Sequence, residues 1–154
     1  MSATADAALR QIAVDVLEQM AFVFVDDAEA PFDELLGGAA ASAALTVEGA
    51  ASEELTVSAT EGLVREVASG MTGCEPEEVD VSTFARAVVA ELANVFGGEW
   101  ALQRSGGGAR GKVGLPRELT IDEAADRAVR AAEAGAVLAL ESELGAVVVT
   151  LAAA

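Results

Sequence analysis

Residues 84–100 read FARAVVAELANVFGGEW, and the interpretation of the whole chain depends on this stretch. Its apolar residues recur at intervals of three and four positions, which is typical of an amphipathic helix. Glu91 and Asn94 lie within its central run of small and apolar side chains. Because three positions correspond to about 60° around a helix, both side chains are expected on one face. A plain solvent-facing glutamate and an asparagine near a helix end would give the same spacing.

We predict that this helix covers residues 82–96, with Ser82 as its N-cap and the pair Gly97–Gly98 as its end. Its core side is expected to carry Phe84, Val88, Leu92 and Val95. Glu91 and Asn94 fall at the edge of that stripe, where Ala87 and Ala90 are their neighbours. Small neighbours of this kind would let another protein approach the helix closely.

The rest of the chain predicts an α/β domain of the α+β type, with long helices packed on a largely antiparallel sheet. Helices are expected over 3–24, 61–70 and 121–133, and strands over 41–48, 54–59 and 112–115. Thr60 is a candidate cap for the second of these helices, and Thr120 with Glu123 forms a capping box for the third. The segment from Pro31 to Gly38 is predicted to be a connection.

Two apolar runs at the end of the chain, AVLAL and AVVVTLA, flank the segment ESELG and predict a β-hairpin. They do not alternate with polar residues, which indicates strands covered on both faces, as in the middle of a sheet. Since no obvious linker divides the chain, we expect residues 1–154 to form a single domain.

The residue types that the chain lacks exclude several kinds of chemistry. There is no histidine, which excludes Ser-His-Asp and Cys-His nucleophiles and histidine-ligated zinc. Cys74 is the single cysteine, so an intramolecular disulfide and a thiolate metal cluster are excluded too. Tyrosine is also absent, and general acid–base catalysis would depend on carboxylates or on Lys112. We therefore expect no metal site and no cofactor in the chain itself.

The charge of the chain excludes some classes of partner. The net charge is −17, which argues against binding to nucleic acid and to anionic membrane surfaces. The longest uncharged run, LLGGAAASAALTV, is shorter than the roughly 18–20 residues of a membrane span. The N-terminal residues MSATADAALRQ lack the basic start and apolar core of a signal peptide. We expect a soluble cytoplasmic protein.

A glycine-rich stretch resembles a nucleotide-binding motif but departs from it. GGGARGKV, residues 106–113, fits G-x-x-x-x-G-K, yet Val113 stands where the motif requires serine or threonine. A helix should also begin at once, whereas KVGLPRE predicts a strand and a turn. Nucleotide hydrolysis would require ATP binding that depends on Lys112, and we expect none.

The stretch at 84–100 resembles the signature helix of the CheX/CheC/FliY family of chemotaxis phosphatases. AALRQIAVDVLEQMAFVFVDD, residues 7–27, is similar to the first helix of CheX-like proteins. ELTVSATEGLVREVASGMTGCEPEEVD, residues 54–80, is similar to the strand, helix and acidic connection that precede the signature helix. The resemblance extends from about residue 7 to residue 100 and implies a CheX/CheC-like fold.

The resemblance also implies which residues would act. In this family an acidic residue and an asparagine three positions later form the active pair, and these correspond to Glu91 and Asn94. CheC-type relatives carry such a pair in both halves of the chain. Here VDVLEQMAFVF aligns with AVVAELANVFG, so that Glu18 corresponds to Glu91. Three positions later the first copy has Ala21, whereas the second copy has Asn94. This fits the CheX arrangement with one site per chain, although helical amphipathicity alone could produce the similarity between the halves.

The family resemblance implies a phosphatase that hydrolyses the aspartyl phosphate of a CheY-type response regulator. Asn94 would orient the attacking water and Glu91 would pair with the regulator's lysine, while the receiver domain of the regulator supplies Mg²⁺. CheX-like relatives dimerise by joining their sheets, so a homodimer joined through the C-terminal hairpin is expected. The alternative is a non-catalytic docking module that binds a receiver domain or a flagellar-switch component.

Overall fold

The computed structural model of the chain describes residues 3–104 and 112–154. Five helices are found in this part: α1 (Ala3–Ala21), α2 (Phe32–Gly37), α3 (Glu61–Thr72), α4 (Val81–Arg104) and α5 (Ile121–Ala134), with a 3₁₀ turn at Pro76–Glu78. The strands are β1 (Asp26–Asp27), β2 (Ala39–Glu48), β3 (Ser52–Thr60), β4 (Lys112–Val113), β5 (Arg117–Leu119), β6 (Ala136–Glu141) and β7 (Ala146–Ala153). These elements confirm the mixed fold with an antiparallel sheet.

The seven described strands form one sheet in the order β1-β6-β7-β3-β2-β4, and β5 also pairs with β2. Every one of these pairs is antiparallel. The C-terminal hairpin of β6 and β7 is confirmed, and β7 lies in the interior of the sheet between β6 and β3. Six of its eight residues are buried, as the apolar run AVVVTLA predicts. Because β7 is paired on both sides and β1 pairs with Leu140 and Glu141 of β6, only the first part of β6 remains for joining a second sheet.

Helices cover both faces of the sheet, and β7 shows how its residues divide between them. Val147 and Val149 belong to the larger core, which also contains residues of α1, α3 and α4. Val148 belongs to the smaller core on the other face, with α2 and α5. On that second face, buried hydroxyl groups satisfy one another across the strands, in the pairs Ser42–Ser58 and Thr56–Thr150. The sheet is thus enclosed between two helical layers, with α4 on one face and α5 on the other.

The prediction that α4 ends at Gly97–Gly98 is wrong, because the helix continues to Arg104. Gly97 is buried where α4 approaches β2 closely. A Cβ atom on Gly97 would lie 2.9 Å from Leu45 Cδ1 and 3.3 Å from Val113 Cγ1. The glycine therefore permits contact between helix and sheet, and the burial of Trp100 one turn later offsets its low helix propensity.

The start of α4 also differs from the prediction. The helix begins at Val81, so Asp80 and not Ser82 precedes its first residue. The Asp80 carboxylate accepts hydrogen bonds from Ser82 Oγ at 2.7 Å and Thr83 Oγ1 at 2.8 Å. These bonds, with Ser82 contributing most, lower the pKa of Asp80 below its ordinary value, since they favour the ionised form.

Two other predicted boundaries are corrected by the structure. The first helix ends at Ala21 and not at 24, since Phe22 adopts a positive φ of 58° and Phe24 beyond it is 69% exposed. The segment predicted as a connection contains the short helix α2, which buries Leu36. The N-cap position of Thr60 is confirmed, but its hydroxyl accepts a hydrogen bond from the Ala146 backbone instead of capping α3.

The predicted capping box at the start of α5 is confirmed. Thr120 Oγ1 accepts from the Glu123 backbone N–H at 3.1 Å, and the Glu123 carboxylate accepts from the Thr120 backbone N–H at 3.0 Å.

Within the described residues, no helix is both long and apolar enough to cross a membrane.

Candidate functional site

Glu91 and Asn94 lie near the middle of α4, and both side chains are exposed. The opposite side of the helix is buried against the sheet and the neighbouring helices. Its buried residues are Ala85, Val88, Val89, Leu92, Ala93, Phe96, Gly97, Trp100 and Ala101. This stripe fixes how far α4 can rotate, so it also fixes the direction in which the polar pair faces solvent.

The side chains of Glu91 and Asn94 form no hydrogen bond or ion pair with another described residue of the chain. Their surroundings have little bulk: Ala87 is exposed, and a Cβ on Gly98 would have no atom within 4 Å. Phe84, which was predicted on the core side, is 37% exposed at the N-terminal end of this surface. The carboxylate and the amide are unpartnered and surrounded by small side chains, so they are available to a second molecule.

The C-terminal part of α4 is fixed by a contact that the sequence reasoning missed. Trp100 is fully buried, and its indole Nε1–H donates to Glu53 Oε1 at 3.1 Å. The Arg104 guanidinium lies 5.5 Å from the centre of the Trp100 ring, and its Nε is 3.6 Å from Glu53 Oε1. A sequence signal existed, since the only tryptophan of an aromatic-poor chain follows Phe96 by four positions.

A second segment lies along one side of α4. Val113 faces Gly97, while Pro116 and Arg117 line a small cavity of about 120 Å³ together with Ala90. The segment is held by the bond from Gly114 N–H to Thr46 O, at 2.8 Å. Leu115, between these fixed residues, is 91% exposed. The helix surface that carries Glu91 and Asn94 thus has a defined border on this side.

The glycine-rich stretch contributes no phosphate site that the structure describes. Residues 105–111, which contain most of this stretch, lie outside the described residues. Lys112 begins β4, which pairs with β2, so no helix follows the lysine as a phosphate-binding loop requires. Over residues 3–104 and 112–154, no group of three or more acidic or cysteine side chains is arranged to hold a metal ion.

An antiparallel sheet between two helical layers is the architecture of several chemotaxis proteins of known structure. Solved structures of proteins described as CheX, CheC-like and FliY share this fold with the chain. The fold that the sequence resemblance implied is therefore confirmed. No protein-family model matches the sequence, and no curated protein matches it either.

Three of these structures illustrate the likeness. CheX from Vibrio vulnificus is 15% identical and superposes with a TM-score of 0.69, covering 97% of this chain and 96% of that protein. CheX from Borrelia burgdorferi, solved in a complex with CheY, BeF₃ and magnesium, is 14% identical with a TM-score of 0.64 and 95% coverage of both chains. FliY from Thermotoga maritima is 14% identical with a TM-score of 0.56, covering 100% of this chain and 92% of that protein.

Proposed function

We propose that this chain hydrolyses the aspartyl phosphate of a CheY-type response regulator. The observation that carries the proposal is the exposed, unpartnered pair Glu91 and Asn94 on α4. The fold is shared with a CheX protein that was solved bound to CheY, BeF₃ and magnesium. BeF₃ on a carboxylate has the geometry of a phosphoryl group, so that complex is a fitting precedent for a phosphorylated partner.

Asn94 is the proposed water-orienting residue. An acyl phosphate already has a good leaving group, so the catalyst mainly has to place a water in line with the scissile P–O bond. The water oxygen attacks phosphorus, the bond from phosphorus to the aspartyl oxygen breaks, and inorganic phosphate and a free carboxylate result. A neutral amide suits this task because it both donates and accepts hydrogen bonds, and Asn94 has no other partner among the described residues.

Glu91 is the proposed docking residue. Its carboxylate lies one helical turn before Asn94 on the same exposed side, and it can accept a charge-assisted hydrogen bond from the lysine of a receiver domain. This contact would fix the register of α4 in the receiver site. In this proposal Mg²⁺ is bound by the receiver domain, and the chain contributes only these two side chains to the phosphorylated aspartate.

The experiment that tests this function measures binding and turnover separately. The partner is a CheY-type receiver domain of the same genome, loaded with magnesium and BeF₃ for binding and with acyl phosphate for turnover. We expect Asn94→Ala to slow phosphate loss at saturating concentrations by about 100-fold or more, while the receiver still binds. Glu91→Ala should slow phosphate loss and, unlike Asn94→Ala, should also weaken binding of the receiver.

Gln103→Ala is the matched control, because it removes an exposed amide from the same helix outside the proposed pair. It should behave as wild type in both measurements. A wild-type chain that binds the loaded receiver and leaves the phosphate lifetime unchanged would contradict hydrolysis and favour the docking module instead.

A further inference from the structure

A groove between α1 and α4 lies beside the proposed pair. Its volume is about 350 Å³. Ile12, Val16 and Met20 of α1 and Val95 of α4 provide its apolar lining. Such a concave and partly apolar surface is a place where a side chain of another protein can be buried.

The groove is continuous with the position of the pair on α4. Glu91, Val95 and Glu99 are spaced by four residues, so they form one row along the helix. At 1.5 Å per residue, Val95 lies about 6 Å and Glu99 about 12 Å along the axis from Glu91. Val95 also directly follows Asn94. A protein that covers Glu91 and Asn94 can therefore reach the groove as well.

The rim of the groove carries negative charge. Asp15 of α1 and Glu99 of α4 both line it. Asp15 accepts a hydrogen bond from Gln11 Nε2 at 2.8 Å, and within the described residues neither carboxylate forms an ion pair. The groove thus combines an apolar floor with an anionic rim.

We propose that this groove receives an apolar side chain of the response regulator that has a lysine or arginine next to it. The apolar side chain is buried between α1 and α4, and the cation pairs with Asp15 and Glu99. This inference rests on the proposed function and names the second contact of the same partner. The phosphorylation site of a receiver is acidic and this chain carries a net charge of −17, so the two proteins repel each other. The proposed cation at the rim would provide attraction between them.

The test is a charge reversal with a control of equal charge. The double variant Asp15→Lys/Glu99→Lys alters the rim, and Asp126→Lys/Glu133→Lys makes the same change in net charge on α5, on the other face of the sheet. The probe is a CheY-type receiver domain of the same genome carrying magnesium and BeF₃. We expect the rim variant to bind about tenfold more weakly and to lose most of its salt dependence, whereas the control stays within about twofold of wild type.

The apolar part of the groove is tested at high salt, where the rim charges are screened. Val95→Thr keeps the side-chain shape and introduces a hydroxyl, and we expect it to bind about threefold more weakly or worse. Thermal melting of each variant confirms that the fold is intact. Equal weakening by the rim variant and its control, or no weakening by either, would overturn the proposal.

The outcomes separate this inference from the proposed hydrolysis. If wild type shortens the phosphate lifetime and the rim variant binds as wild type, the groove proposal fails and the phosphatase stands. If binding depends on the rim and the phosphate lifetime is unchanged, hydrolysis fails and the groove stands. If no receiver domain of that genome binds to wild type, the groove is not a receiver site.

Discussion

Glu91 and Asn94 are positioned by side chains on the other side of their helix. Val88, Leu92 and Phe96 are buried in the core and hold α4 in one rotation about its axis. The pair itself contributes little to folding, since both side chains are exposed. Alanine has a higher helix propensity than asparagine, so Asn94→Ala should melt at the wild-type temperature or above. Loss of turnover in that variant therefore reports on function and not on folding.

Trp100 secures the C-terminal part of α4 by its burial and by one hydrogen bond. Its indole N–H satisfies the nearly buried carboxylate of Glu53. Trp100→Phe leaves that carboxylate without this donor, and we expect a loss of about 1–3 kcal/mol in the free energy of unfolding. Denaturant unfolding followed by circular dichroism measures it, because the variant has lost the only tryptophan fluorophore.

Glu53→Gln is the control for this prediction. It keeps an acceptor oxygen for the Trp100 indole, and its loss should be smaller than that of Trp100→Phe. A Trp100→Phe variant as stable as wild type would show that the hydrogen bond does not secure the helix end.

At the level of elements, two neighbouring glycines of α4 have opposite roles. Gly98 is exposed, and an added Cβ meets no atom within 4 Å, so Gly98→Ala should stabilise the protein by about 0.5–1 kcal/mol. Gly97 faces Leu45 and Val113, so a methyl group there forces these side chains to move, at a cost of about 1–3 kcal/mol. Gly97→Ala should therefore not stabilise the protein. The two variants are compared by thermal or urea unfolding. Equal stabilisation by both would contradict the close approach of α4 to β2.

The same two glycines show where sequence reasoning succeeds and where it fails. The middle of α4, the strands β2 and β3 and the C-terminal hairpin were predicted because their signals, the spacing of apolar residues and the apolar runs around a turn, are local. The end of α4 was not, since glycine both terminates helices and permits close packing, and only the position of β2 decides between these roles. Phe24 was misplaced for a related reason: apolar spacing continues past Ala21, but the positive φ of Phe22 ends the helix.

The site shows the same division. A shared helical face for Glu91 and Asn94 follows from their spacing, whereas the assignment of their roles came from the family resemblance and stays a proposal. The groove between α1 and α4 was not predictable, because its lining comes from two helices that are about 80 residues apart in sequence. Contacts of that kind depend on tertiary packing.

For the whole molecule, the net charge of −17 predicts a stability that depends on salt. Self-repulsion of like charges opposes compactness, and added salt screens it. We expect the melting temperature at neutral pH to rise with sodium chloride, mostly below about 0.2 M, where the screening length changes fastest. Salt effects on apolar burial would instead grow steadily at higher concentration. A melting temperature that falls with salt would mean that the surface ion pairs outweigh the repulsion.

The measurement that tests the central claim most directly is the lifetime of the acyl phosphate on a CheY-type receiver domain, alone, with wild type and with Asn94→Ala. The account predicts that wild type shortens the lifetime and that Asn94→Ala returns it close to the value of the receiver alone. An equal lifetime in all three conditions, or equal shortening by wild type and Asn94→Ala, would contradict the proposal that Asn94 on α4 is the working residue of this protein.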